Sequence, residues 1–326
     1  MNILITGSSG HLGEAIIRVL KNSAHGFIGI DVKSSEYTSY QGSITDRIFV
    51  RECMKNIDTV IHTATLHKPH VSTNSYRDFI DTNITGTLNL LEEANGQGVK
   101  SFIFTSTTST FGDILTPKKI EPAVWVTEET PSIPKNIYGV TKSAAEDLCQ
   151  LFYRNYNLSC LILKTSRFFP EEDDKKEIRE SYEDANVKAN EFLYRRVDIE
   201  DVVSAHLLAV EKAQALEFGK YIISATSPFT QKDLIELNSD APRVVERLYP
   251  DFKKLYKNWK MFPRIDRVYV NEKARTELGW KPIYDFNYVL ECLKQGKDFR
   301  SQLSIEIGIK GYHSKTFKRG PYPVHE

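Results

Sequence analysis

The sequence predicts an α/β fold, a doubly wound parallel sheet followed by a smaller α-rich C-terminal lobe. Three observations carry this prediction. Short apolar runs alternate with stretches of helical periodicity through most of the chain. A glycine-rich turn separates the first apolar run from the first periodic stretch. After Ser227 the pattern changes to short helical pieces punctuated by Pro228, Pro242, Pro250, Pro263 and Pro282.

The elements follow in order. Residues 2–6 form a strand with an Ile-Leu-Ile centre, and residues 11–21 a helix that turns Leu12, Ile16, Val19 and Leu20 to one face. Gly26 is expected to break that helix before a second strand at 27–31. A helix at 46–55, a strand at 59–63 and a long helix at 72–94 come next, then a strand at 102–106. Residues 140–156 read as a helix, 160–163 as a buried strand, 199–212 as a helix and 220–225 as a late strand. Such an order builds a parallel sheet covered on both faces. Residues 171–183 are dominated by charge and read as a solvated loop or exposed helix. From Gly308 on, Gly, Lys, His, Tyr and Pro suggest a segment wrapping over the surface. The expected division is 1–165 plus about 197–226 for the sheet domain, with about 166–196 and 227–326 forming the second lobe.

Composition excludes several classes. The 326 residues carry 43 Lys plus Arg against 43 Asp plus Glu, a balance that argues against nucleic acid as a partner. No apolar run approaches the roughly 18 residues that a membrane span needs, and no basic leader precedes an apolar stretch at Met1, so a secretory signal is not expected. Cys53, Cys149, Cys160 and Cys292 are scattered with no CxxC pair. They read as reduced, buried thiols of a cytoplasmic protein, with no metal site.

Gly7-Ser8-Ser9-Gly10-His11-Leu12-Gly13 is a GxxGxxG turn between strand and helix. Gly7 permits the tight turn, Gly10 lets backbone approach a pyrophosphate, and Gly13 allows close helix-to-strand packing. The helix start offers unpaired N–H groups to phosphate. Asp31 ends the next strand and can accept from both hydroxyls of an adenosine ribose, which favours NAD over NADP. Lys33 leaves some room for NADP. Further along, Tyr138-Gly139-Val140-Thr141-Lys142 puts a phenol and an ammonium on one helix face. The ammonium is expected to favour phenolate, and a lowering by about three pKa units needs roughly 4 kcal/mol. A tuned tyrosine can then exchange a proton with a carbinol oxygen. A hydroxyl cluster, Thr105 to Thr110, ends the fourth long strand just before Phe111-Gly112, where ligands of open α/β sheets bind.

Together these motifs resemble the extended short-chain dehydrogenase/reductases, specifically the NAD-dependent epimerase/dehydratase family. Val60-Ile61-His62-Thr63-Ala64, the Asn83-to-Leu91 segment and Leu278-Gly279-Trp280-Lys281-Pro282 extend the likeness along nearly the whole chain. The resemblance implies a Rossmann domain and a Thr107-Tyr138-Lys142 catalytic triad. Thr107 would hydrogen-bond the reacting oxygen, Tyr138 would be the acid/base, and Lys142 would hold the nicotinamide ribose. It also implies cofactor contacts from Gly7, Ser9, Gly10, His11, Leu12, Gly13, Asp31, Ser43, Ile44, Thr63, Ala64, Thr65 and Ser166, besides Tyr138 and Lys142. Ser43 stands where the family usually has Asp, and His67 where some epimerases have a cofactor-contacting Lys. Asn83 either orders the site's backbone or packs as a helix polar residue.

On the substrate side the resemblance points to Thr107, Thr108, Tyr138 and Arg167, and to a sugar or nucleotide-sugar. Thr108 and Ser109 follow Thr107 where 4,6-dehydratases carry Asp-Glu, so water elimination is disfavoured. The segment after Pro170 is short for a nucleotide-sugar site and looks somewhat like hexuronate dehydrogenases, which keeps a dehydrogenase of a free sugar acid open. Arg167 either grips a substrate anion or pairs with the acidic run at 171–174, and Arg195 and Arg196 allow the same two readings. A non-catalytic NAD sensor on this fold is the alternative outside enzymes, though such proteins typically lose the Tyr or Lys. The family commonly forms homodimers through the helices at 72–94 and 140–156.

Overall fold

A computed structural model describes residues 1–311. The expectation for the tail therefore falls, beyond residue 311, outside the described residues.

Seven strands form one parallel sheet: β1 (Asn2–Thr6), β2 (Gly26–Asp31), β3 (Tyr40–Gln41), β4 (Thr59–His62), β5 (Ser101–Thr107), β7 (Ser159–Thr165) and β8 (Phe218–Ile223). Their order across the sheet is β3-β2-β1-β4-β5-β7-β8. The chain thus winds outward from β1 in one direction and from β4 in the other. This reversal opens a crevice beyond the strands' carboxyl ends. Three short strands are missed in the sequence: β3 at the sheet's edge, and β6 (Val124–Val126) and β9 (Arg267–Tyr269), which pair in parallel as a separate sheet.

Helices cover both faces. α1 (His11–Leu20) and α8 (Ile199–Leu216) pack on one side, where Ile5, Ile16, Leu161, Val202 and Ala209 share a core. α2 (Arg47–Cys53), α4 (Gly86–Gly96) and α5 (Ile137–Tyr156) pack on the other, with Leu4, Val60, Leu90, Phe102 and Cys149. Gly26 does not break α1, which stops at Leu20; it opens β2 instead. The long helix expected at 72–94 is composite. A 3₁₀ turn (Lys68–Ser72) precedes α3 (Tyr76–Phe79), which runs through a π-helical turn (Ile80–Thr85) into α4. α5 starts earlier than its apolar pattern, because the Asn136 side chain caps it by accepting from the Gly139 N–H at 3.0 Å. Tyr138 therefore sits in its first turn.

The remaining helices are α6 (Lys176–Ser181), α7 (Asp184–Glu191), α9 (Leu234–Leu248), α10 (Phe252–Leu255), α11 (Glu272–Glu277), α12 (Phe286–Gln295) and α13 (Gln302–Ile307). Val187, Leu237, Val244, Phe262 and Val289 build a second apolar core among them. Trp280 is buried against α8, its indole N–H donating to the Asp201 carbonyl and the Ser204 hydroxyl, both at 3.0 Å. All four cysteines are free and buried. Among the described residues no helix is long and apolar enough to cross a membrane.

Candidate functional site

A single cleft of about 1090 Å³ runs across the carboxyl ends of the strands, from Asp31 past the glycine-rich turn to Tyr138 and Arg167. Its near end is built by close backbone approach. Gly7 takes φ +75°, and a Cβ there would lie 2.8 Å from the Ala64 nitrogen. A Cβ on Gly13 would come within 2.1 Å of the Gly7 carbonyl, so α1 can meet β1 only through glycine. Ser9, Gly10, His11 and Leu12 line the cleft at the start of α1, whereas Gly13 lies behind it as the packing residue. The Asp31 carboxylate accepts from the backbone N–H of Ser9 at 3.0 Å and of Lys33 at 2.8 Å, which fixes it at the rim.

Ser43, Ile44, Thr63, Ala64 and Thr65 line the same cleft. The Ser43 hydroxyl is engaged with the Thr45 hydroxyl at 2.8 Å, and Asn89 donates to the carbonyls of Ile44 and Thr45. The Ala64 N–H donates to the Thr6 hydroxyl at 3.1 Å, and the Thr63 hydroxyl donates to the Thr6 carbonyl at 2.6 Å. His67 also borders the cleft, its ring stacked on Phe169 at 5.2 Å.

Beneath this wall lies a directional chain of buried hydrogen bonds. His62 joins the hydroxyls of Thr6, at 2.7 Å from Nδ1, and Thr87, at 2.9 Å from Nε2. Thr87 donates to the Asn83 carbonyl at 2.7 Å, so its oxygen accepts from Nε2–H and Nδ1 accepts from Thr6. Burial holds the His62 pKa well below its ordinary value, which keeps the ring neutral as this pattern requires. The Asn83 side chain accepts from the Leu66 N–H at 2.8 Å and donates to the Leu66 carbonyl and to the Thr141 hydroxyl on α5. Asn83 does order the backbone of the cleft, and it does so from the π-helical turn.

At the far end, β5 finishes at Thr107, whose side chain accepts from the Ser109 N–H at 3.1 Å and lies on the same cleft wall as Tyr138. Thr107, Thr108 and Tyr138 face the cleft together, and so does Ser166. The Ser166 hydroxyl is buried without a protein partner among the described residues, a polar atom available to a ligand. Lys142 is not on the cleft wall. Its ammonium lies 3.9 Å from the centre of the Phe104 ring. The expected lowering of Tyr138 by Lys142 is absent in this structure, because burial dominates both groups. The phenol is pushed up to about 12, opposed by the Thr107 hydroxyl, and the ammonium is pushed down to about 7, opposed by Glu146. A lysine that is half neutral at neutral pH supplies only part of the positive charge that the motif implies.

The acidic run corrects another expectation. Glu171 and Asp173 are buried, not solvated, because each faces a basic group. Glu171 pairs with His11 at 2.9 Å, and Asp173 with Arg167 at 3.2 Å and Arg195 at 3.5 Å. Arg195 and Arg196 also grip the buried Glu191 at 2.9 and 2.8 Å. Arg167 therefore makes the acidic-run pairing, yet its guanidinium still lines the cleft beside Arg195. Sequence reasoning missed Lys68, Arg267 and Lys310, which also line it. Arg267 had no visible signal, since β9 is three residues long and pairs with a strand far away in the chain. Among the described residues no cluster could hold a metal ion.

With this geometry in hand, comparison with known proteins decides the family. Residues 3–224 match the NAD dependent epimerase/dehydratase family. The chain belongs to that family. Its fold is accordingly that of the extended short-chain dehydrogenase/reductases. Among curated relatives, UDP-glucose 4-epimerase of Lactobacillus helveticus is 30% identical over 158 residues, 45% of this chain and 46% of the relative. dTDP-glucose 4,6-dehydratase of Haemophilus influenzae is 31% identical over 193 residues, 51% of this chain and 55% of the relative. These matches thus span about half the length of each relative. The solved UDP-glucose 4-epimerase of Thermotoga maritima superposes with a TM-score of 0.64 at 24% identity, covering 94% of this chain and 98% of that one. At that identity the likeness speaks to the fold.

The buried lysine offers a direct check. Above pH 10.5 Lys142 is neutral in both folded and unfolded chains; as pH falls from there towards 7 the unfolded chain takes up its proton first, so this group's stabilising contribution is lost. Lysine ζ-¹⁵N spectra should contain a signal titrating near pH 7 that disappears in Lys142→Met. Lys142 titrating near its ordinary value would contradict the burial described above.

Proposed function

We propose that this enzyme carries out NAD-dependent redox chemistry at a carbinol of a sugar or nucleotide-sugar, with epimerisation as the net reaction. The observation that carries the reading is the convergence of Thr107 and Tyr138 at the far end of a cleft whose near end is the glycine-rich turn and Asp31. The unpartnered Ser166 hydroxyl and the closely packed glycines fit the cofactor. Gly7, Gly10 and the start of α1 would hold its pyrophosphate, Asp31 its adenosine ribose, and Ser43, Ile44, Thr63, Ala64 and Thr65 its flanks. Bound NAD supplies the acceptor for hydride from the carbinol carbon.

The chain's own groups do the rest. Tyr138 exchanges the hydroxyl proton, and Thr107 orients the reacting oxygen. Lys142, once charged, lowers the cost of phenolate. Thr108 and Ser109 offer no carboxylate next to Thr107, which disfavours the elimination that a dehydratase needs. The lobe of 166–196 and 227–326 would hold the substrate, with Arg167 and Arg195 on the cleft wall. Those two arginines favour a second reading, net oxidation of a free sugar acid with release of NADH. A non-catalytic sensor is less well supported, because Thr107, Tyr138 and Lys142 are all present.

The expected assembly is a homodimer. Tyr76, Ile80, Val140 and Leu151 are exposed apolar side chains on the α3-to-α4 segment and α5, faces that would pair around a two-fold axis. Sedimentation equilibrium should give twice the mass of one chain at micromolar concentration; a single-chain mass would contradict the dimer.

The catalytic reading is tested with purified enzyme, NAD, UDP-glucose and a panel of free sugar acids. Tyr138→Phe should lower turnover about 10²–10⁴-fold while NAD binding persists. Full turnover in Tyr138→Phe would sink the assignment. NADH accumulating with a sugar acid would select the second reading over epimerisation.

A further inference from the structure

Beneath the catalytic end lies a buried charged cluster that the proposed reaction does not use. Glu146 sits on α5, one helical turn beyond Lys142 and two beyond Tyr138, and is 1% exposed. Its Oε1 accepts from the Ser106 hydroxyl at 2.5 Å and from the Lys164 ammonium at 2.8 Å, and its Oε2 lies 2.9 Å from that ammonium. Ser106 and Lys164 are register partners on β5 and β7. Ser106 immediately precedes Thr107, and the next register pair is Thr107 with Thr165, whose hydroxyl donates to the Ser106 carbonyl at 3.0 Å. One carboxylate thus clamps the carboxyl ends of two strands to the helix that carries Tyr138.

We propose that Glu146 is a positioning residue for the catalytic end: its carboxylate, gripping Ser106 and Lys164, fixes Thr107 against the helix of Tyr138 and sets a negative charge one helical turn from the Lys142 ammonium. This rests on the catalytic reading of Thr107, Tyr138 and Lys142. A carboxylate that served only to pair Lys164 would need neither Ser106 nor a place one turn from Lys142. The titratable groups around Glu146 and Lys142 come from three strands and one helix. Lys142, Glu146 and Cys149 lie on α5, with Asp147 beside them; His62 is on β4, Lys164 and Cys160 on β7, and Lys220 on β8, its ammonium 3.3 Å from Glu146. β5 adds the Ser106 hydroxyl. Glu146 acts to keep the Lys142 proton on, against the burial that removes it.

The test is the titration of Lys142 in ζ-¹⁵N-labelled full-length protein, compared with Glu146→Gln. Loss of a neighbouring opposite charge should lower the Lys142 midpoint by about one unit or more. A purely structural brace would change thermal unfolding without moving that midpoint. Because Glu146→Gln strands the Lys164 ammonium and can unfold the chain, the double variant Glu146→Gln/Lys164→Met removes both buried charges and should show a downward shift that is smaller, since the opposing Lys164 charge is gone too. An unchanged midpoint in either folded variant overturns the proposal, and so does failure of both variants to fold, which would make the cluster a brace alone. The titration requires no turnover, so it can fail while Tyr138→Phe supports the catalytic reading, or hold while that reading fails.

Discussion

The site depends on one continuous run of buried hydrogen bonds, from Thr6 at the glycine-rich turn through His62, Thr87 and Asn83 to Thr141 on α5. Each link has a single direction, and the direction holds only while the His62 ring is neutral. Burial enforces that state. An unpaired polar group at any link would cost roughly 1–3 kcal/mol, so the run resists partial opening. It couples the glycine-rich turn to the helix that carries Tyr138 and Lys142.

Two further constraints act on the same cleft. At one end, α1 meets β1 through Gly13 and Gly7 with no room for a Cβ. At the other, Glu146 ties β5 and β7 to α5. Between them the strand reversal at β1 and β4 leaves the crevice that the cofactor needs. Across the cleft, the wall is held by ion pairs, in which Asp173 and Glu191 anchor Arg167, Arg195 and Arg196. Pairs of this kind keep arginines oriented, and two of them, Arg167 and Arg195, line the cleft.

Much of this was legible in the sequence. Period-2 and continuous apolar runs marked the six long strands, and the spacing of Gly7, Gly10, Gly13 and Asp31 marked the turn. What escaped has physical reasons. β6 and β9 are three residues each and stabilise one another across more than a hundred residues of chain, so neither has a local signal. The π-helical turn that aims Asn83 into the wall breaks the 3.6-residue period without any Gly or Pro to announce it. Glu171 and Asp173 read as solvated because two of their partners, His11 and Arg195, lie well away in the chain. The balance between burial and charge at Tyr138 and Lys142 is likewise a property of the packed site and not of the YxxxK spacing.

The most direct measurement is a crystal structure of the full chain with NAD bound. The account predicts the adenosine ribose on the Asp31 carboxylate, the pyrophosphate at the start of α1, and the nicotinamide end beside Tyr138 and Thr107. NAD bound with its nicotinamide end remote from Tyr138, or with its ribose away from Asp31, would contradict it.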